Sequence, residues 1–255
     1  MKAVVFAAGM GTRLRPFTDS HPKALAPIGD TTALGLVVDR LIAAGADGIV
    51  VNVHHFAGQV TEWLGARHYA VPIEISDESN ELLDTGGALA KIYRESSIIA
   101  GASADEAIVV HNADIVSTVH IGELSTPLND SDVSVLVDST RKSSRRLLFD
   151  DNDRMAGWLD EKNGTVKPSG LDPAQYKAAA FGGVHAIRRA VLADISDYCG
   201  NELHPFGIIP YYIDRCASLT IRAYEPTGLY GWYDIGTPER LATAQQAFTQ
   251  GLLKL

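Results

Sequence analysis

The chain has 255 residues, 46% of them hydrophobic, and carries a formal net charge of −9. That size suits one large α/β domain with a substantial core, and the acidic balance argues against a general nucleic-acid partner, so an anionic ligand has to be met by a local basic pocket. Two cysteines, Cys199 and Cys216, lack metal-site spacing and any disulfide framework, the N-terminal apolar run is too short for a signal peptide, and no stretch is long enough to span a membrane; a soluble protein of the reducing cytoplasm is expected, with no membrane partner.

Ala3-Val4-Val5-Phe6 reads as a buried strand, and Ala7-Ala8-Gly9-Met10-Gly11-Thr12-Arg13-Leu14-Arg15-Pro16-Phe17-Thr18 follows it directly, continued to Pro22-Lys23. The glycines let backbone approach a ligand and turn amides toward oxyanions. Arg13, Arg15 and Lys23 place three positive charges in one loop, which suits a triphosphate. The P-loop string is absent. The dinucleotide fingerprint begins at Gly9 and Gly11 but fails at Leu14, and no acidic residue follows the second strand, which excludes a nicotinamide-dependent oxidoreductase. The bland alternative for the loop is a glycine turn with solvated arginines.

Leu34, Val37, Val38, Leu41 and Ile42 give helical spacing over 31–45, with Gly45 as a C-cap. Residues 49–53 read as a buried strand, 57–66 as a short helix, 72–75 as a strand, 85–95 as a helix after Asp84-Thr85-Gly86-Gly87, and 107–111 as another buried strand. This alternation predicts a mostly parallel sheet covered by helices on both faces. Further on, strands are expected at 133–137, 145–149, 154–159, 178–187, 219–224 and 229–234, with Asp150-Asp151-Asn152-Asp153 as a hairpin turn. Helices are expected at 205–215 and 238–250. No linker, low-complexity tract or repeat is found, and no hexapeptide β-helix repeat follows the core, so a fused acyltransferase domain is not expected.

Asp114 ends the strand at 107–111 through His111-Asn112-Ala113, where ligands bind in open α/β sheets. It reads either as a metal ligand or as an N-cap for the segment that follows. Asp234 precedes Thr237-Pro238-Glu239, a helix start with Thr as N-cap and Pro in the first turn. It reads as the partner carboxylate of a magnesium site or as a turn aspartate; magnesium favours one or two carboxylates plus phosphate oxygens and water. Asp77 and Glu78 follow a strand and face the base edge, where a carboxylate accepts from guanine and uracil alike. His54-His55 reads as structural, because neighbouring strand side chains face opposite ways. Trp158, Trp232 and Tyr233 read as packing residues.

The string G-M-G-T-R-L-R-P-F-T…P-K resembles the signature of sugar-1-phosphate nucleotidyltransferases, the nucleotide-sugar pyrophosphorylases. Asp84-Thr85-Gly86-Gly87, Phe181-Gly182-Gly183-Val184 and Trp232-Tyr233-Asp234-Ile235-Gly236-Thr237 extend the resemblance from Met1 to about Phe248. It implies a single-domain, Rossmann-like three-layer sandwich with a mixed, mostly parallel central sheet, the nucleotide-diphospho-sugar transferase fold. The nucleotide half falls at about 1–115 and the sugar-phosphate half at about 116–255. By the same resemblance Arg13 and Lys23 bind phosphates and serve catalysis, while Ala7, Ala8, Gly9, Gly11 and Thr12 line the nucleotide and Gly86 sits against the base. Asp114 and Asp234 hold Mg2+.

Asp160-Glu161-Lys162 resembles the element that holds the sugar hydroxyls and phosphate, with Gly183 beside it. The proline that usually follows is missing, Asn163-Gly164 reads equally as a hairpin turn, and Lys167-Pro168 offers a rival alignment for the phosphate-binding lysine. Gly29-Asp30-Thr31-Thr32 replaces the usual Gly-Lys-Pro turn, so contacts from that turn are not carried over. The expected activity joins a nucleoside triphosphate, with UTP preferred, to an amino-sugar or muramic-acid 1-phosphate. Mannose- or heptose-phosphate guanylyl transfer is the nearest rival and phosphocholine cytidylyl transfer a more distant one. A non-catalytic nucleotide-sugar-binding subunit is the alternative of another class, and the presence of Arg13, Lys23, Asp114 and Asp234 together argues against it. A monomer or small homo-oligomer is expected.

Overall fold

The computed structural model describes residues 1–253. Strand β1 (Lys2–Phe6) leads into the basic loop, which is shaped by three 3-10 turns at Thr12–Leu14, Phe17–Asp19 and Lys23–Leu25. A small hairpin, β2 (Pro27–Ile28) and β3 (Thr31–Thr32), delivers the chain to α1 (Ala33–Ala43). Then come β4 (Ile49–Val53), α2 (Ala57–Gly65), β5 (Ile73–Asp77), α3 (Asp84–Glu95), the single turn α4 (Ser97–Ala100) and β6 (Ala107–Asn112). The second half holds β7 (Ile115–Ser117), α5 (Ile121–Leu124), β8 (Val133–Asp138), β9 (Arg145–Phe149), β10 (Met155–Asp160), β11 (Thr165–Lys167) and β12 (Lys177–Arg188). It closes with α6 (Arg189–Cys199), α7 (Ile208–Arg215), β13 (Ile221–Tyr224), β14 (Trp232–Asp234) and α8 (Pro238–Thr249).

Strands β5, β4, β1 and β6 lie side by side and parallel, so their carboxyl ends share one edge. Strand β12 joins β6 antiparallel and β8 joins β12 antiparallel, while β13 runs parallel to β8. The sheet is therefore mixed with a parallel core, and the α/β fold follows the sequence reading. The pleat decides its two faces. Val4 and Val110 point to the side covered by Leu89 of α3, Leu192 of α6 and Tyr211 of α7. Ala3, Val5 and Val51 point to the side covered by Leu34, Val37 and Leu41 of α1. The start of β12 runs past β6 and pairs β9, which carries the antiparallel meander β9–β10–β11 beyond the carboxyl edge.

Helix α8 crosses back to the N-terminal loop. Gln245 Nε2 donates to the Pro27 carbonyl at 2.8 Å, the Phe248 ring packs on Gly29, and Ala244 and Ala247 share a small core with Leu14, Ile28 and Ile235. Thr237 caps this helix as its sequence implies, accepting from Arg240 N at 3.4 Å.

Some elements depart from the expected pattern. Helix α7 begins at Ile208, because the segment before it is spent in a loop holding Pro205 and Gly207. Strand β14 begins at Trp232. Strands β7 and β11 have three residues each, too short for a period to register. Helix α6 was also unanticipated, although Val191, Leu192, Ile195 and Cys199 bury one helical stripe. No helix among the described residues is long and apolar enough to cross a membrane.

Candidate active site

A cleft of about 540 Å³ opens at the carboxyl ends of β1, β4 and β6. Its first wall is the glycine loop, with Ala7, Ala8, Gly9, Gly11, Thr12, Arg13 and Lys23 all lining it. Gly11 adopts φ +62°, and a Cβ there would stand 2.8 Å from Thr18 Cγ2 and 2.9 Å from Lys23 Cβ. Only glycine fits that approach. Thr18 Oγ1 donates to the Gly11 carbonyl at 2.9 Å and locks the turn. Arg15 is not among the lining residues: it pairs with Asp19 at 3.1 Å on the exposed side, so the loop turns two of its three cations to the cleft.

The Lys23 side chain is 10% exposed and its ammonium is ion-paired with Asp114 Oδ2. Asp114 sits in the turn between β6 and β7, so no helix follows for it to cap. The antiparallel pair β7–β14 sets Asp234 opposite Ile115, and Ile235 N donates to the Asp114 carbonyl at 3.0 Å. Two aspartates distant in sequence are thereby fixed on adjacent backbone. Asp234 Oδ1 accepts from Gly236 N at 2.7 Å, and Oδ2 accepts from Arg240 Nη1 at 2.5 Å. Asp234 thus makes the local turn and keeps a charged partner at once. Asp234 is not itself among the cleft-lining residues, whereas Gly236 is; a Cβ at Gly236 would lie 3.2 Å from Arg13 Nη2, which puts that guanidinium beside the Asp234 turn.

Among the described residues no cluster of three or more His, Cys, Asp or Glu side chains is placed to hold a metal. Two carboxylates suit magnesium when phosphate oxygens and water complete its shell. The all-oxygen donor pair beside a basic loop fits that ion.

Behind the loop runs a buried relay. Ala7 N donates to Asn52 Oδ1 at 2.9 Å, Asn52 Nδ2 donates to Glu78 Oε1 at 2.9 Å, and Leu83 N donates to Glu78 Oε2 at 3.1 Å. Glu78 is 2% exposed, and burial raises its pKa. It lines the cleft with each oxygen already accepting one protein hydrogen bond. Sequence reasoning passed over Asn52, yet one amide inside Ile49-Val50-Val51-Asn52-Val53 was a usable signal, since a buried amide needs partners. Asp77 is exposed and does not line the cleft: its Oδ1 takes the Ser79 hydroxyl and the Ser79 amide, which hold its carboxyl below the usual range. Arg240 was also passed over, because an arginine in a helix's first turn carries no motif.

Gly86 does not line the cleft. A Cβ there would collide with the Phe206 ring, and Gly86 N donates to the Phe206 carbonyl at 2.8 Å. Thr85 Oγ1 accepts from Ile208 N at 2.8 Å. These contacts lay the 201–207 loop on the start of α3, and that loop carries Pro205 into the cleft beside Asp84 and Thr85.

Glu161 pairs with Arg146 Nε at 3.0 Å, and Lys162 is exposed at the turn completed by Gly164. Neither lines the cleft. A second cavity of about 350 Å³ lies between the β9–β10–β11 meander and α7, and Lys167 rather than Lys162 lines it, together with Trp158. Gly183, at φ +77°, backs onto Asn112 of the first cleft, 3.2 Å from Nδ2 to its would-be Cβ.

Residues 2–145 match the family model of nucleotidyl transferases. The chain belongs to the nucleotidyl transferase family. It is a sugar-1-phosphate nucleotidyltransferase by this membership. An N-acetylmuramate alpha-1-phosphate uridylyltransferase of Caulobacter vibrioides is 29% identical over 256 residues, covering 95% of each chain. Mannose-1-phosphate guanylyltransferase 1 of Arabidopsis thaliana is 24% identical, covering 100% of this chain and 66% of its own. Among solved structures, HddC from Yersinia pseudotuberculosis superposes with a TM-score of 0.74 at 19% identity, over 97% of this chain and 99% of that one. The likeness to HddC speaks for the fold.

Proposed function

We propose that the protein transfers a uridylyl group from UTP to an amino-sugar 1-phosphate, N-acetylmuramate 1-phosphate first among them, releasing pyrophosphate. The observation that carries this reading is the meeting of Lys23 and Asp114 on the wall of a glycine-loop cleft, with Asp234 bonded in beside them. The choice of UTP and of an acidic amino sugar rests on the similarity to the Caulobacter vibrioides protein along 95% of both chains. In this reading the nucleotide half runs to about residue 115, and the remainder serves the sugar phosphate.

An oxygen of the sugar 1-phosphate attacks the α-phosphorus as the bond to the bridging oxygen of the β-phosphate breaks, and pyrophosphate leaves. That nucleophile is already ionised, so no general base is needed. Catalysis then consists of alignment and of neutralising growing charge. Lys23 faces the point where the two substrates' charges converge, and Arg13 holds the outer phosphates. Backbone amides at Gly9, Gly11 and Thr12 meet further oxygens. Asp114 and Asp234 would hold Mg2+, which neutralises phosphate charge. The Asn52–Glu78 relay fixes the segment leading to α3 against the start of the glycine loop.

Pyrophosphate release measured with each of four triphosphates against N-acetylmuramate, N-acetylglucosamine, mannose and heptose 1-phosphates tests the reading. UTP with N-acetylmuramate 1-phosphate is expected to give the highest kcat/KM. Turnover confined to GTP with mannose or heptose 1-phosphate overturns the choice of base and sugar. No release with any pair favours the non-catalytic binding subunit.

A further inference from the structure

Strands β7 and β14 form a two-stranded ribbon separate from the ten-stranded sheet. The ribbon carries Asp234 and begins directly after Asp114, so the lie of both carboxylates depends on it. Its strands bond to each other, with Trp232, Tyr233 and Asp234 opposite Ser117, Val116 and Ile115. Strand β7 is joined to β6 through the turn at Ala113-Asp114, whereas β14 reaches the large sheet through side chains.

They meet β12 where its pairing is irregular. Strand β12 pairs β9 as far as Ala179 and β6 from Val184 onward, and its register against β8 shifts between Phe181 and His185. Two successive carbonyls of that interval are taken by side chains. Trp232 Nε1 donates to the Gly182 carbonyl at 2.9 Å, and Arg141 Nη2 donates to the Phe181 carbonyl. The same guanidinium lies over the Trp232 ring, 4.1 Å from its centroid. Asp138 braces both partners: its Oδ1 accepts from Arg141 N at 2.9 Å, and its Oδ2 accepts from Tyr230 Oη at 3.0 Å, just ahead of β14. Gly183 completes the contact from β12, since a Cβ there would lie 2.8 Å from Ile115 Cγ1 of β7.

Trp232 and Asp234 stand two positions apart on β14, so they share a face, while Tyr233 turns to the small core beneath α8. Anchoring the indole therefore fixes the roll of the strand, and with it the direction of the Asp234 carboxylate. Apolar packing alone would not require an N–H aimed at a carbonyl, or a cation held over the ring.

We propose that Trp232 and Arg141 are positioning residues, which fasten the β7–β14 ribbon to the irregular stretch of β12 and so hold Asp234 in line with Asp114 for the metal. The proposal rests on the reading of these aspartates as the magnesium pair, and deepens it by naming the groups that orient one of them. Neither residue touches the metal or the reacting phosphates; both act through the strand that bears the ligand.

The test reads metal binding rather than turnover. Mn2+ is titrated onto the protein with a non-hydrolysable analogue of each of the four triphosphates, and free Mn2+ is followed by paramagnetic resonance. Asp234→Asn sets the scale for a lost ligand. Trp232→Phe keeps a ring beneath Arg141 but removes the donor, and Arg141→Ala removes the cation. Each is expected to raise the Mn2+ Kd about tenfold, the lower end for losing a group that orients a metal ligand, while nucleotide affinity without metal stays close to wild type. The double variant should be little worse than either single, because both residues hold one stretch of β12. Arg141→Lys keeps a cation over the ring and should retain most of the affinity. A Mn2+ Kd equal to wild type in either single variant overturns the role of that residue, whatever its urea midpoint, and returns it to packing. If Asp234→Asn itself binds Mn2+ as wild type does, the magnesium reading falls, and this proposal with it.

Discussion

Lys23 and Asp114 stand 91 positions apart in the chain and meet as an ion pair in the cleft. The lysine comes from a 3-10 turn after β1, the aspartate from the end of β6, and the parallel pairing of β1 with β6 makes the meeting possible. Replacing Lys23 with Ala is expected to lower kcat about a hundredfold or more, the usual effect of deleting one electrostatic contact to developing charge. Nucleotide affinity should fall far less. Single-turnover pyrophosphate release and a nucleotide titration separate the two, and a kcat loss under threefold would reduce the pair to a structural one.

Asp114→Asn and Asp234→Asn are each expected to abolish turnover with the fold intact. A double variant should be little worse than either single, because ligands of one ion act as a unit. Wild type should also stop releasing pyrophosphate in excess chelator and recover with magnesium or manganese. Rates of the purified variants at saturating magnesium check this. Retention of more than about a tenth of the wild-type rate, well short of the loss of one catalytic contact, would return that aspartate to a turn role.

Gly86→Ala is expected to destabilise the protein by about 1–3 kcal/mol, the range for overpacking a tight contact. Its new methyl group meets the Phe206 ring and forces the 201–207 loop off α3. Turnover should drop as well, since that loop brings Pro205 to the cleft. Urea midpoints at neutral pH report the first effect. A midpoint equal to wild type would show that the loop yields freely.

Acid should weaken the fold through two buried histidines. Burial pushes His111 from 6.5 down to about 4 and His185 down to about 3. Both nitrogens of His185 lack hydrogen-bond partners among the described residues. Below the unfolded-state value near 6.5 the unfolded chain takes up protons that the native state refuses. Stability is therefore full above that pH, and each histidine removes about 1.4 kcal/mol per pH unit as pH falls toward its folded value. His185→Met should flatten the fall of the urea midpoint between pH 6 and 4 relative to wild type. Parallel curves would mean that His185 titrates normally in the native protein.

Much of the lining of the candidate cleft is legible in the sequence, for local reasons. A glycine loop after an apolar run, and aspartates at strand ends, keep their meaning wherever the strands pair. Thr237-Pro238-Glu239 announced its helix in the same way. What escaped reading depends on pairing at long range. Arg240 matters only because β14 lies beside β7, and Asn52 only because Glu78 is folded beneath it. Gly86, set against the base by the resemblance, lies against the Phe206 ring. Lys162 and Lys167 are five residues apart on either side of one turn, and strand register alone decides which of them reaches a cavity.

Helix α8 rests on the hairpin that follows the basic loop, and β14, just ahead of it, carries Asp234 to the β7 strand. During synthesis, then, a nascent chain can own its glycine loop, Lys23 and Asp114 long before it owns a second carboxylate. A chain cut before residue 232 would lack both Asp234 and the clasp over Pro27.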